Sequence, residues 1–289
     1  MTAERGTPPP VRTTLRLGPR VLDCAHRALV MGVLNRTPDS FYDRGATYEL
    51  DALLRRADQL VADGADILDV GGVKAGPGEH VTLEEEMRRV VPAVAALASR
   101  VDVPLSVDTW RSEVAEAAFA AGALLGNDIS GFSDPRYLEV ASRAGASVVA
   151  THIRLAPRVP DPEPTYPDDD VVASVEEALV RQLARARLAG IDADRVVLDA
   201  GLDLGKTAEQ SLELLRSSAR LAAVGPPLLL SASNKTFLGA LLGLEVHERR
   251  DASLAAVALG VTRGCRVVRV HDVAGTRRVV DVLAEVLAA

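Results

Sequence analysis

The chain is poor in aromatic residues, which make up only 3% of its 289 positions. Hydrophobic residues still account for 48% of the sequence, so alanine, valine and leucine must fill the core. Side chains of this kind dominate the layered interior of α/β barrels. The chain also has the length of one such barrel, and a chain of this length buries most of the surface that it exposes when unfolded.

Cysteine is scarce as well, and the two present, Cys24 and Cys265, stand far apart. This number excludes a disulfide framework and a cysteine-based metal site, and it favours two buried thiols in a reducing compartment. No apolar run reaches the length of a membrane span, and the first 22 residues lack the apolar core of a signal peptide. We therefore expect a cytoplasmic protein with a flexible tail over residues 1–22 and a single domain over residues 23–289.

Clusters of basic residues are missing too, and acidic residues outnumber basic ones by 40 to 33, which gives a net charge of −7. We expect neither nucleic acid nor an anionic membrane as a partner, because both require a basic surface. A small anionic substrate is compatible with this balance, since local groups in a site can oppose the net charge.

Eight short runs rich in valine, leucine and isoleucine are each followed by a turn and then by a longer stretch with helical spacing. Continuous apolar runs are typical of parallel strands that are buried on both faces. The alternation predicts an α/β fold, a single-domain (β/α)8 TIM barrel. An open Rossmann-like sheet is the alternative, but no G-x-G-x-x-G motif follows the first run. The predicted strands cover residues 28–34, 66–71, 103–108, 123–128, 147–152, 196–201, 227–232 and 266–271.

Two segments interrupt this alternation. Residues 153–170 contain five prolines, and a loop of this length is usually functional or mobile. Residues 201–207 resemble a nucleotide-binding P-loop, but they place three residues between the glycines where that motif needs four. We interpret them as a turn that leads into a capped helix.

Every predicted strand ends in a polar residue, and active sites of barrels of this kind lie at the carboxyl ends of the strands. A single aspartate or asparagine in such a position usually caps the next helix. Eight polar ends that meet at one mouth indicate a ligand site instead. The residues concerned are Asn35, Asp69, Asp108, Asn127, Asp128, His152, Asp199, Ser233, Lys235, Arg269 and His271.

The chemistry of these residues divides into two groups. The first combines carboxylates, an amide and a cation, which suits the alternating donors and acceptors of a flat heterocycle such as a pterin or a guanine-like ring. It consists of Asp108, Asn127, Asp199 and Lys235. The second group is polar and cationic and suits a phosphate or a pyrophosphate. It consists of Asn35, Arg269 and His271.

Residues 31–45, MGVLNRTPDSFYDRG, closely resemble a signature segment of the dihydropteroate synthases, M-G-(I/V)-L-N-x-T-P-D-S-F-x-D-x-G. Further segments of that family are matched in the same order over about 240 residues. They are DVGG at 69–72, PG at 77–78, SVDT at 106–109, NDISG at 127–131, SNKTF at 233–237 and RVHDV at 269–273.

The resemblance implies a TIM barrel that condenses a hydroxymethyl-dihydropterin pyrophosphate with p-aminobenzoate and releases pyrophosphate. By this resemblance, Asp108, Asn127, Asp199 and Lys235 would bind the pterin, with Asp108, Asp199 and Lys235 as the catalytic residues. The pyrophosphate would lie against Asn35, Arg269 and His271, with Asn35 near Mg²⁺. The family also forms dimers through its last helices, here residues 248–263 and 275–288. The loops around the second substrate would contribute Thr37, Pro38, Asp39, Phe41, Lys74, Ser233 and Asn234.

The departures from the family pattern lie on the side of the second substrate. Residues 73–76 read V-K-A-G where the family has E-S-T-R, and Asn234 stands where the family has an arginine. In the segment 199–206, Asp203 replaces a glycine and Leu204 an aromatic residue. The resemblance therefore implies a pterin pyrophosphate as substrate and leaves the binding of p-aminobenzoate in doubt.

Two functions follow from this pattern. The first is a synthase-like transferase of the folate pathway with divergent loops. The alternative is a diverged paralogue that binds pterin but has weak, lost or altered synthase activity, either with another nucleophile or as a binding protein without catalysis.

Overall fold

A computed structural model describes residues 13–36, 49–76 and 78–288 of the chain. Eight parallel strands close into a barrel, in which each strand pairs with its neighbour in the sequence and the last pairs with the first. The predicted (β/α)8 TIM barrel is thus confirmed. The barrel strands are β3 (Leu29–Asn35), β4 (Ile67–Gly71), β5 (Leu105–Asp108), β6 (Leu125–Asp128), β7 (Ser147–Thr151), β8 (Val196–Asp199), β9 (Leu228–Leu230) and β10 (Cys265–Val270).

Helices surround the barrel and follow the strands. The described helices are α1 (Leu50–Ala62), α2 (Leu83–Ala98), α3 (Ser112–Ala120), α4 (Tyr137–Arg143), α5 (Val171–Leu188), α6 (Ala208–Arg216), α7 (Ser218–Ala222), α8 (Thr236–Leu242), α9 (Arg250–Thr262) and α10 (Val273–Ala288). Short 3-10 turns lie at Pro167–Asp169, Ala193–Arg195 and Val246–Glu248. None of the helices in the described ranges is long and apolar enough to cross a membrane.

An antiparallel hairpin, β1 (Thr14–Leu17) and β2 (Arg20–Asp23), precedes the barrel. Leu15 and Leu17 are fully buried and pack with one side chain from each of several barrel strands, such as Met31 and Ile67. The hairpin closes the amino-terminal end of the barrel, where the Ser147 hydroxyl donates to the backbone carbonyl of Arg16. The expected flexible tail over residues 1–22 is therefore wrong for residues 14–22, because burial of two leucines fixes this segment.

The proline-rich loop of residues 153–170 lies against the loop that follows β8. The Tyr166 hydroxyl donates to the carbonyl of Gly205 over 2.8 Å, and the Gln210 amide donates to the carbonyl of Pro164 over 3.1 Å. An ion pair between Arg154 and Asp161 closes the loop on itself. These contacts connect the two loops at the carboxyl end of β7 and β8, next to the mouth of the barrel.

Candidate functional site at the mouth of the barrel

A buried network of charges joins the ends of four strands. The Arg269 guanidinium on β10 donates to Asp69 of β4 over 2.6 Å and to Asp108 of β5 over 2.7 Å. Asn127 of β6 donates from its amide to the same Asp69 oxygen over 3.0 Å. Arg269 therefore neutralises two carboxylates at once, which is the arrangement that buried charges require.

Burial raises the pKa of Asp108 to about 7, against the opposing effect of Arg269 and with the support of the nearby Asp69 charge. Burial by itself lowers the pKa of Arg269, but the two carboxylates outweigh it and hold that pKa above its usual value. Arg269 thus stays charged, whereas Asp108 exchanges its proton near neutral pH. Groups with strongly shifted pKa values in a cleft are typical of functional sites.

A cavity at the mouth contains the four residues that were assigned to the heterocycle. Asp108, Asn127, Asp199 and Lys235 all line it, together with Arg269. Its other walls come from loops and from strand ends, namely Ala75, Ile129, Gly201, Leu202, Leu204 and Ser231. The structure therefore brings together the residues that the sequence places at the ends of four different strands.

The two groups on the far side of this cavity are Asp199 and Lys235. One Asp199 oxygen accepts a hydrogen bond from the Gly201 backbone over 2.8 Å, and burial raises the pKa of this carboxyl. Burial lowers the pKa of Lys235, while the carboxylates of Asp203 and Asp199 oppose that effect. A cation between carboxylates and open to a cavity can donate to a ring nitrogen or a carbonyl of a ligand.

The three residues assigned to a pyrophosphate lie at the ends of β3 and β10, which are paired strands of the barrel. Arg269 points toward Asp69 and Asp108, as described above. Asn35 ends β3 opposite Gly71, which itself lies opposite Asp108, so that its amide is near the charge network. His271 follows Arg269 by two residues, and its ring nitrogen Nδ1 lies 3.0 Å from the hydroxyl of Ser233.

Asn234 has a different environment from the one expected for a loop around the second substrate. Only 6% of the residue is exposed, and its backbone adopts a left-handed conformation with φ of 58°. Its backbone N–H donates to the Ser253 hydroxyl over 3.0 Å, and that hydroxyl lies 3.4 Å from the side-chain oxygen of Asn234. The side chain therefore packs against α9 inside the protein.

The loop after β4 reaches the site through a small side chain. Val73 is buried, Ala75 lines the cavity, and Lys74 is partly exposed. Thr37, Pro38, Asp39 and Phe41, which were assigned to the other loop around the second substrate, lie outside the described residues.

Residues 201–207 form a turn and then a capped helix, in agreement with the interpretation given above. Thr207 and Gln210 form a reciprocal capping box at the start of α6. Lys206 is buried beneath the turn, where its ammonium donates to the carbonyls of Gly201 and Leu204 over 2.9 and 3.0 Å and lies 2.9 Å from Nδ1 of His152. This lysine fixes the turn and is not available to a nucleotide.

Burial shifts the pKa of both Lys206 and His152. Burial lowers the pKa of Lys206 to about 7, and burial together with the neighbouring Lys206 lowers the pKa of His152 to about 3. His152 is therefore a neutral acceptor at Nδ1. Although His152 follows a strand end, its ring contacts Lys206, the lysine that fixes the turn after β8. It does not line the cavity of Asp108 and Lys235.

Two supporting residues were not assigned to the site from the sequence. Asp69 was noted only as a strand end, yet it holds Arg269 and Asn127. Glu86 on α2 is fully buried and accepts from the hydroxyl of Thr109, the residue after Asp108, over 2.6 Å. The position of Asp69 in the DVGG segment was a usable signal, whereas nothing in the helical spacing of α2 distinguishes Glu86.

No group of three or more histidine, cysteine, aspartate or glutamate side chains that could hold a metal occurs in the part of the chain that the structure describes. Mg²⁺ does not need such a group, because it is commonly bound by one or two protein oxygens together with substrate phosphates and water. The side-chain oxygens of Asn35 and Asp108 both lie beside Gly71.

These features define a (β/α)8 barrel with a small-molecule site at the carboxyl end of its strands. The sequence model of a family described as pterin binding enzyme matches residues 31–271, and the chain belongs to this family.

Its relatives include a Mycobacterium leprae protein named inactive dihydropteroate synthase 2, with 45% identity over 270 residues, which are 91% of each chain. The dihydropteroate synthase of Bacillus subtilis is 37% identical over 271 residues, which cover 93% of this chain and 92% of the relative. The chain is thus similar both to synthases and to proteins named inactive.

Solved structures of synthases superpose closely on this barrel. The Yersinia pestis dihydropteroate synthase in complex with a sulfonamide drug gives a TM-score of 0.91 at 35% identity, covering 96% of this chain and 100% of that one. The Xanthomonas albilineans enzyme in complex with 7,8-dihydropteroate gives a TM-score of 0.84 at 38% identity, with coverage of 96% and 99%. Both comparisons support a fold that is dihydropteroate synthase-like over nearly its whole length.

Proposed function

We propose that this protein binds a hydroxymethyl-dihydropterin pyrophosphate in the cavity of Asp108, Asn127, Asp199 and Lys235, and that it has lost efficient condensation with p-aminobenzoate. The observation that carries the proposal is an asymmetry. Asp108, Asn127, Asp199 and Lys235 converge on one cavity. Asn234, in contrast, is buried against α9, and among residues 73–76 of the loop after β4 it is Ala75 that lines the cavity.

The polar edge of a pterin matches this cavity. Asp199 uses one oxygen for the Gly201 backbone, so its second oxygen accepts from the amino group and ring N–H of the ligand. Asn127 gives an amide hydrogen to Asp69, which leaves its side-chain oxygen as an acceptor. Lys235 donates to a ring nitrogen or oxygen, and each charge-assisted bond in a buried site stabilises binding more than a neutral one.

The pyrophosphate lies toward Asn35 and Arg269 in this proposal. Arg269 uses two of its N–H groups for Asp69 and Asp108, and its other donors remain for an anion. Mg²⁺ would arrive with the pyrophosphate and be held by the Asn35 amide oxygen, and it would neutralise the charge on the phosphate oxygens. We assign His271, the second residue after Arg269 in the chain, to the same anion.

The side chains that the family pattern provides for the second substrate are replaced in this sequence at residues 73–76 and at Asn234. A charge-assisted hydrogen bond to a carboxylate contributes roughly 1.5–3 kcal/mol, which is about a ten- to more than hundredfold difference in affinity. The family pattern has arginine at the positions of Gly76 and Asn234, and neither residue here can replace it. Similarity to the Mycobacterium leprae protein named inactive supports the same conclusion.

A working synthase is the second candidate, and the complete pterin group and the similarity to the Bacillus subtilis enzyme favour it. Turnover separates the two functions. Pterin pyrophosphate, p-aminobenzoate and Mg²⁺ are incubated with the purified protein, and dihydropteroate is quantified by chromatography. We expect product near the level of a protein-free control. Product that accumulates over many turnovers and disappears with Asp199→Ala would establish the synthase.

Pterin binding itself is tested by calorimetry with the wild-type protein and with Asp199→Ala and Lys235→Met. We expect both substitutions to weaken binding at least tenfold, because each removes a charged partner of the ring. Asp192→Asn, an exposed change near the opposite end of β8, is the matched control and should bind as the wild type does. Equal affinity in all four proteins would exclude this cavity as the pterin site.

We also propose that the protein forms a homodimer through its last two long helices. Val282 and Val286 lie one turn apart on α10 and are 62% and 64% exposed, and Leu259 on the adjacent α9 is 37% exposed. Exposed aliphatic residues in one region favour association. Sedimentation of Val286→Asp should give a monomer where the wild type gives a dimer, and Val180→Asp on α5 is the control. A wild-type monomer at all concentrations would overturn this assignment.

A further inference from the structure

Asp203 connects two loops that both border the cavity. It lies in the turn after β8, and its carboxylate accepts from the backbone N–H of Thr236 over 2.5 Å and of Phe237 over 3.3 Å. These groups begin α8, directly after Lys235. Lys235 itself occupies the N-cap position of that helix and makes no side-chain capping bond. The first two backbone N–H groups of α8 are therefore capped by a side chain from a different loop.

The backbone conformation of Asp203 favours glycine, so a side chain at this position indicates a role for its carboxylate. Its φ is 64°, in the left-handed region that favours glycine and that aspartate tolerates better than most residues. A glycine would adopt this turn without strain. An aspartate here therefore adds one thing to the turn, an anionic acceptor directed at the first residues of α8.

The same carboxylate acts on the charge of Lys235. Burial lowers the pKa of this lysine, and Asp203 contributes the largest of the opposing effects, ahead of Asp199. Asp203 does not line the cavity, whereas Lys235 does. The other charged groups that face Lys235 are Asp108, Arg269 and Lys206.

We propose that Asp203 is a positioning residue for Lys235: it ties the turn after β8 to the first residues of α8 and so holds the lysine at the cavity. This role rests on the pterin site proposed above, but its structural part can be measured without a ligand. Asp203→Asn keeps an acceptor oxygen and removes the charge. Asp203→Gly removes both and also relieves the left-handed backbone.

Amide hydrogen exchange of Thr236 and Phe237 measures the tie between the loops. We expect exchange at least tenfold faster in Asp203→Gly and close to wild-type rates in Asp203→Asn, because the asparagine oxygen still accepts. Asp251→Asn, whose side chain is 93% exposed on α9, is the control and should leave both amides unchanged. Wild-type exchange in Asp203→Gly would overturn the proposed tie.

The charge effect is measured by the titration of Lys235 in protein with ¹³Cε-labelled lysine, with Lys235→Met to assign the signal. We expect the titration to move to lower pH in Asp203→Asn, since the carboxylate favours the protonated amine. An unchanged titration would overturn this part of the role.

Calorimetry with the pterin pyrophosphate then relates position to binding. Asp203→Gly should bind about tenfold more weakly than the wild type. As the pH is raised, Asp203→Asn should begin to lose affinity at a lower pH than the wild type does. Faster exchange without loss of affinity would show that the tie does not position Lys235. If the wild type binds no pterin, the proposed function fails, and the exchange and titration results still decide whether Asp203 holds Lys235.

Discussion

Replacement of Asp108 by asparagine should stabilise the protein above neutral pH. The folded protein raises the pKa of this carboxyl from 3.8 to about 7, chiefly through burial. Between these two pH values the folded state binds a proton that the unfolded state releases, so that the stability contributed by Asp108 falls as pH rises. The difference of about three pH units corresponds to roughly 4 kcal/mol at alkaline pH, of which about 3 kcal/mol develops between pH 5 and pH 8.

The measurement is urea unfolding, followed by circular dichroism, at several pH values from 5 to 8. The free energy of unfolding of the wild type should decrease relative to that of Asp108→Asn by about 3 kcal/mol over this range. Asp192→Asn, an exposed change, should follow the wild type. Parallel curves for wild type and Asp108→Asn would contradict this expectation, because they would mean that the folded protein holds Asp108 with an ordinary pKa. A carboxyl that costs stability at the mouth is expected of a site kept for a ligand.

Three further changes test other parts of the account. Leu15→Ala should lower the free energy of unfolding by about 2–5 kcal/mol, because this leucine is fully buried in the barrel interior, and the exposed Val21→Thr should have little effect; equal unfolding midpoints would mean that the hairpin does not close the barrel. Thr207→Ala should cost about 1 kcal/mol through loss of the α6 cap, measured by thermal unfolding, and Thr207→Ser should retain most of it. Asn234→Arg should destabilise the protein by roughly 1–3 kcal/mol without restoring turnover, since the position is 6% exposed and faces α9; an active variant would contradict the inward orientation.

The barrel could be predicted from the sequence because its strands leave an unusually clear signal. The runs are mostly apolar, the residues of β4 to β9 are buried throughout, and all eight predicted runs overlap observed strands. The hairpin at residues 14–23 was not predicted, although Leu15 and Leu17 alternate and Gly18 follows them with a φ of 56°. Two strands of four residues each give too short a pattern to separate a folded hairpin from a polar tail.

The convergence of Asp108, Asn127, Asp199 and Lys235 on one cavity could also be predicted, because the barrel brings strand ends together whatever the details of packing. Side-chain partners could not be predicted in the same way. Arg269 was assigned to an anion, yet in the structure it joins Asp69 to Asp108, and this depends on distances between strands that are not neighbours in sequence. Asn234 lies in a recognisable motif, but a left-handed backbone turns its side chain inward, and a motif does not encode that direction.

We propose that this barrel retains the pterin half of a synthase site without the half for p-aminobenzoate. The most direct test of this proposal is a sequential calorimetric titration, first with pterin pyrophosphate in the presence of Mg²⁺ and then with p-aminobenzoate added to the saturated protein. We expect saturable heat in the first titration and none above dilution in the second. Saturable binding of p-aminobenzoate to that complex, or no binding of the pterin pyrophosphate at all, would contradict it.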